Sequence, residues 1–144
     1  MTVNCMIVGK IAVITSKTLL LINSEPNLRE VVQACLMDLG GWEVLTAGSL
    51  LEGLRQAVLH PPDAIILELS RTGMDEFRVL EQLRAQPTTQ TIPVVLLTAR
   101  AKWLDSQLLQ RYQVAGVIAN SLDPAMLPVQ VAKLLGWDLD SQMD

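Results

Sequence analysis

Residues 60–70 read HPPDAIILELS, and the run from Ala64 to Leu69 within them decides the fold. It is apolar without alternation, so a strand made from it buries both faces, as strands of a parallel sheet do when helices cover each side. One carboxylate, Glu68, stands inside it. Desolvating an ionised group is costly unless hydrogen bonds or a counter-charge serve it. Glu68 therefore marks the tip of this strand as a place with a task, or with the remnant of one.

Working outward, two similar runs, LLLI at 19–22 and VVLL at 94–97, share that character. The pattern predicts strands over Thr18–Ile22, Glu43–Ala47, Ala64–Leu69, Pro93–Thr98 and Gly116–Ala119. Amphipathic stretches separate them. The first, announced by Ser24-Glu25-Pro26, places Leu28, Val31, Val32, Cys35, Leu36 and Leu39 on one stripe and stops at Gly40-Gly41. The second opens on the capping box Ser49-Leu50-Leu51-Glu52, in which hydroxyl and carboxylate satisfy reciprocal backbone donors, and ends near His60 before Pro61-Pro62. A third spans about Asp75 to Ala85 with Phe77, Leu80 and Leu83 inward, and a fourth lies near Trp103 to Tyr112. A fifth follows Asp123-Pro124 and ends at Gly136; Pro128 lacks the N–H a helix interior needs, which favours a displaced start or a kink. Strict alternation of five strands and five helices is a (βα)5 doubly wound α/β sheet in a single domain. Its site lies beyond the carboxyl ends of the strands, where strand order reverses.

Composition narrows the function classes. Eleven Lys and Arg against fifteen Asp and Glu give a net charge of −4, with neither sign gathered into a block. A basic face able to displace counterions from phosphates is missing, which argues against nucleic acid as a partner. Cys5 and Cys35 fit none of the short metal or redox spacings, and a reduced, cytoplasmic protein is the simplest expectation. No run approaches the ~20 apolar residues that cross a bilayer. Residues 1–17 read as an N-terminal extension, an added strand or a flexible lead; residues 18–136 form the domain, and residues 137–144 a short acidic tail.

In that order, LLLINSEPNLRE, GWEVLTAGSLLEGL, HPPDAIILELSRTGMDEF, IPVVLLTAR and GVIANSLDP resemble the receiver domain of bacterial two-component response regulators over about Thr18 to Gly136. The resemblance implies a flavodoxin-like fold. It also implies a site in which an aspartate at the tip of the third strand accepts a phosphoryl group from a sensor kinase. In such a site Mg²⁺ is held by that aspartate and an acidic pair after the first strand, and a Thr or Ser and a Lys contact the phosphoryl oxygens. In this chain the acceptor position is Glu68, the acidic pair is Asn23 and Ser24, the hydroxyl position keeps Thr98, and the lysine position is Asn120. The aromatic switch position of the fifth strand is Val117.

Mg²⁺ demands hard oxygen ligands, usually with carboxylates among them, and Asn23 and Ser24 offer only neutral oxygens. Metal affinity should be poor, and no cofactor is expected. Phosphoryl transfer rests on positioning and charge neutralisation. Glu68 carries one methylene more than aspartate, placing its oxygen over ~1 Å from an attacking aspartate's, a misplacement that costs ~100-fold. Asn23, Ser24, Thr98 and Asn120 can instead all donate to the carboxylate. Glu68 then reads as a polar remnant; the alternative, a permanent phosphate mimic, would normally lean on the absent lysine and drive the absent aromatic.

On the fourth helix, Leu104, Leu108 and Tyr112 suffice for the core side, so Trp103 and Leu109, with Tyr112 at the helix end, are candidates for a partner or dimer face, with ordinary packing the alternative. His60 fits a last-turn cation, Cys35 a small core residue, Asp75 the start of a helix, and Trp137 a cover for the domain edge. The resulting expectation is a pseudo-receiver that is not an enzyme and acts by contact with a sensor kinase, a downstream effector or a second copy. The alternatives are a conventional single-domain regulator in a phosphorelay, and a small cofactor binder on a flavodoxin-like sheet. The last lacks a glycine-rich loop after the first strand.

Overall fold

The computed structural model describes residues 17–69, 74–99, 104–119 and 123–138. The expectations for residues 1–16, 70–73, Trp103, Asn120 and 139–144 lie outside the described residues. Strands β1 (Thr18–Ile22), β2 (Glu43–Ala47), β3 (Ala64–Glu68), β4 (Val94–Thr98) and β5 (Val114–Ala119) alternate with helices α1 (Pro26–Asp38), α2 (Leu50–Leu59), α3 (Met74–Ala85), α4 (Ser106–Arg111) and α5 (Leu127–Leu135). The strands pair in parallel in the order β2-β1-β3-β4-β5. This is the flavodoxin-like α/β arrangement expected, with its reversal of strand order between β1 and β3.

The three unalternating runs do what their composition requires. Leu19 and Leu21 enter one core layer with Ile66, Val95 and Leu97, closed by Val32 and Leu36 of α1 and Val131 of α5. Leu20 and Ile22 enter the other with Ile65, Leu67 and Leu96, beneath Ala57 of α2 and Leu80 and Leu83 of α3. Each layer is contiguous apolar packing, and burial of a Leu or Ile side chain contributes about 1.5–3 kcal/mol.

Helix ends follow local chemistry. Glu25 accepts from the Leu28 amide at 2.8 Å, and the Ser49 hydroxyl accepts from the Glu52 amide at 3.1 Å. The Glu52 carboxylate reaches back to the amide of Gly48, at 3.0 Å, one residue before the capping hydroxyl. Pro128 resolves into a displaced start: a 3₁₀ turn over Pro124–Met126, capped by Asp123, precedes α5, and the proline falls in the first turn, where its missing N–H costs nothing. Gly136 ends α5 at φ 70°, and Trp137 then meets Trp42 edge-on, ring centroids 5.4 Å apart, with the Lys17 ammonium over its ring. Trp137 thus closes the domain edge, as expected.

Three details depart from the sequence pattern. The stripe of α1 is narrower than its periodicity, for Val31 and Leu39 are exposed and Cys35 is half-buried. The fourth helix begins only at Ser106, capped by Asp105. Leu109 consequently packs with Tyr112, Phe77 and Val117 against the core, while half-buried Leu108 lines a surface hollow with Asp105, Gln107 and Arg111. The expected inward and outward leucines are therefore exchanged. The fifth strand starts at Val114, two residues early, after a turn in which Gln113 takes φ 55°.

Gly53 marks the closest approach of α2 to the sheet: a Cβ there would lie 2.4 Å from Ile22 Cδ1 and 2.7 Å from Cγ1. Ile22 is 2% exposed and cannot yield freely. Gly53→Ala should therefore lower stability by about 1–3 kcal/mol in urea denaturation through overpacking, despite the ~1 kcal/mol of helix propensity it gains. A more stable variant would show that the layer is looser than these distances state.

Candidate functional site

At the reversal of strand order, Ile22 pairs with Leu67, so Asn23 and Glu68 follow one another beyond the last paired residues of β1 and β3. Beside them, Glu68 pairs with Leu97 and Thr98 with Ala119. Asn23, Ser24, Gly48, Ser49, Glu68 and Glu76 line a pocket of about 280 Å³ here. The topology brings together the expected positions Asn23, Ser24, Glu68 and Thr98; Val117 stands half-buried on β5 against the second core layer.

Asn23 is 2% exposed, and its amide is oriented by its neighbours. Its Oδ1 accepts the Glu25 backbone N–H at 2.8 Å, a bond only the oxygen can make. The Nδ2 group must then lie on the other branch, where it is buried with no hydrogen-bond partner. An asparagine expected to donate to Glu68 does not do so. Where a carboxylate in this position would present an acceptor, the chain presents a donor.

Two charged residues complete the picture. Glu76, in the first turn of α3, is 6% exposed and lines the same pocket, so two carboxylates, not one, face it. Arg29 of α1 donates to the Asn23 carbonyl at 2.7 Å and lies against Gly48, whose added Cβ would sit 3.1 Å from its Nη1. A cation therefore stands at the pocket's rim, against the expectation of none. Glu76 reads in sequence as an ordinary helix-start acid, and Arg29 as a solvated helix position. Their only signal is their spacing from the tips of β3 and β1.

A divalent cation does not fit this donor set. The Asn23 oxygen already accepts the Glu25 amide, its NH₂ can only donate, and no group of three or more His, Cys, Asp or Glu side chains able to hold a metal occurs among the described residues. Glu68 and Glu76 alone fall short of the oxygen shell Mg²⁺ demands. Among the described residues no helix is long and apolar enough to cross a membrane.

Comparison with known proteins agrees with the topology. The family model described as response regulator receiver domain matches residues 19–131. Response regulator Rre1 of Synechocystis is 33% identical over 120 residues, covering 82% of this chain and 51% of that protein. Transcriptional regulatory protein PrrA of Mycobacterium tuberculosis is 31% identical over 122 residues, covering 85% and 48%. The chain thus spans about half the length of these curated relatives. Among solved structures, a response regulator of Chloroflexus aurantiacus superposes with a TM-score of 0.71 at 27% identity, over 85% of this chain and 99% of that one. The receiver domain of a Pseudomonas aeruginosa sensor histidine kinase, solved with a magnesium ion in its active-site cleft, shares the fold at a TM-score of 0.71 and 22% identity, over 85% and 99%. With strand order, matched span and relatives in agreement, this chain belongs to the response regulator receiver domain family.

Proposed function

We propose that this receiver domain acts in two-component signalling without accepting a phosphoryl group, as a pseudo-receiver that works through protein-protein contact. The orientation of Asn23 carries the reading. Phosphoryl transfer in such a pocket needs positive charge over the transferring group and an acceptor in line. Here Asn23, which follows β1, is a neutral amide whose Nδ2 group is buried without a partner, Asn120 stands where the resemblance expects a lysine, and Glu68 is one methylene too long. The unit is taken as residues 18–136, and its output is contact with a signalling partner at the corner of α4 and β5, where Leu108 and Tyr112 lie; Trp103 is the sequence's further candidate.

Intact mass after incubation with acetyl phosphate and millimolar Mg²⁺ should show no added phosphoryl group; stoichiometric addition would instead support a conventional regulator. Asn23→Asp tests the pocket's electrostatics separately. The new carboxylate keeps the acceptor for the Glu25 amide but sets a buried negative oxygen in the pocket lined by Glu68 and Glu76, so stability should fall by about 1–3 kcal/mol. Millimolar Mg²⁺ should recover part of that loss by binding the folded state alone. Thermal melts with and without Mg²⁺ read both effects, and a variant as stable as the parent without metal would contradict the assigned orientation.

A further inference from the structure

Arg84, in the last turn of α3, is half-buried, yet among the described residues no carboxylate pairs with it. Every bond it makes to a described residue goes to a backbone carbonyl. Nε donates to Tyr112 at 2.9 Å and Nη2 to Gln113 at 3.2 Å, the two residues between α4 and β5. Nη1 donates to Ile92 at 2.7 Å and Gln90 at 3.2 Å, with Thr89 at 3.4 Å, in the segment joining α3 to β4. Removing this cation from water pulls its proton affinity below that of a free guanidinium, so the carbonyl cage stands in for solvent.

We propose that Arg84 is the positioning residue of the α4–β5 corner, a clamp inserted from α3 that holds the end of α4 and the start of β5 in one arrangement. Helix α4 has six residues, too few to persist unaided. The Tyr112 and Gln113 carbonyls that Arg84 holds lie just past the helix's last residue, where a cation also meets the negative end of the helix dipole. A guanidinium fork reaches two strand-side and loop-side carbonyl sets at once, which a lysine's point charge does not. The same helix grips the corner a second time: Phe77, seven residues before Arg84, packs its ring on that of Tyr112 at 5.7 Å. Between these grips, Gln113 is kept at φ 55°, a conformation a non-glycine residue retains only when its surroundings over-determine it. The corner's functional meaning rests on the contact-based function proposed above; the clamp itself does not.

Hydrogen exchange read by mass spectrometry on the full chain tests it. Arg84→Ala should speed exchange of amides in 109–117 about tenfold or more, in line with losing several hydrogen bonds to a charged group. Amides of α1 and α5 should keep their rates. Arg84→Lys should restore only part of the corner's protection, and it serves alone if the alanine variant does not fold. Uniform acceleration along the whole chain, or unchanged rates at the corner in either variant, would overturn the clamp. A phosphoryl group gained from acetyl phosphate would refute the pseudo-receiver reading and leave this result standing.

Discussion

A sheet buried on both faces leaves polar chemistry only its rims. Strands β1, β3 and β4 carry apolar side chains into both core layers, and an unserved polar group there would cost several kcal/mol. The buried polar residues of β1, β3 and β4 accordingly sit at carboxyl ends: Asn23 just beyond β1, and Thr98 closing β4, with half-buried Glu68 between them. The side of β2 away from β1, which no strand among the described residues pairs, is handled by the same logic. Its outward carbonyls, of Val44 and Thr46, accept side-chain amides from Gln33 of α1 and Gln56 of α2 at 3.2 and 3.1 Å. Helices that cover the two faces thus also occupy acceptors that another strand would need.

The same constraint explains what was legible in the sequence. Unalternating runs can be little else than strands covered twice, and the rule that places a site at the reversal of strand order needs only their sequence. The strand-tip positions of Asn23, Glu68 and Thr98 are therefore legible in the sequence. Pro128 likewise announced a displaced start or a kink, and the structure takes the first, since a missing N–H is tolerated in a first turn. Periodicity failed where helices are short or end: one turn of uncertainty in the start of α4 exchanged the roles of Leu108 and Leu109. Long-range polar contacts carried no pattern at all. Arg84 resembles any basic residue in a last helical turn, yet its acceptors lie up to 29 residues away. The Asn23 orientation depends on one amide two residues later, and a one-letter code does not encode which branch of an amide finds a partner.

Asn23 and Arg84 make opposite use of the backbone. Asn23 spends its acceptor on a neighbouring amide and leaves its buried donor without a partner. Arg84 spends its donors on carbonyls of two distant segments, with no carboxylate pairing it among the described residues. One leaves a polar group unserved beside the strand tips, and the other joins two segments.

Communication between a pocket and a distant surface requires an element with two arrangements whose balance both sites bias. On the proposed reading each end of that relation is weakened here: neutral Asn23 and Ser24 follow β1, the chain has Asn120 where the resemblance expects a lysine, and the α4–β5 corner is held by hydrogen bonds and a ring contact from α3. Val117, too small to swing between two environments as an aromatic ring can, packs with the same cluster. Shifting the corner would break bonds to Tyr112, Gln113 and Ile92 together, each worth about 1.5–3 kcal/mol when the donor is charged, more than the 1–3 kcal/mol of coupling typical between sites. On that reading the domain presents one face continuously, and control over a partner would pass to how much of it is present and to which surfaces compete for that face.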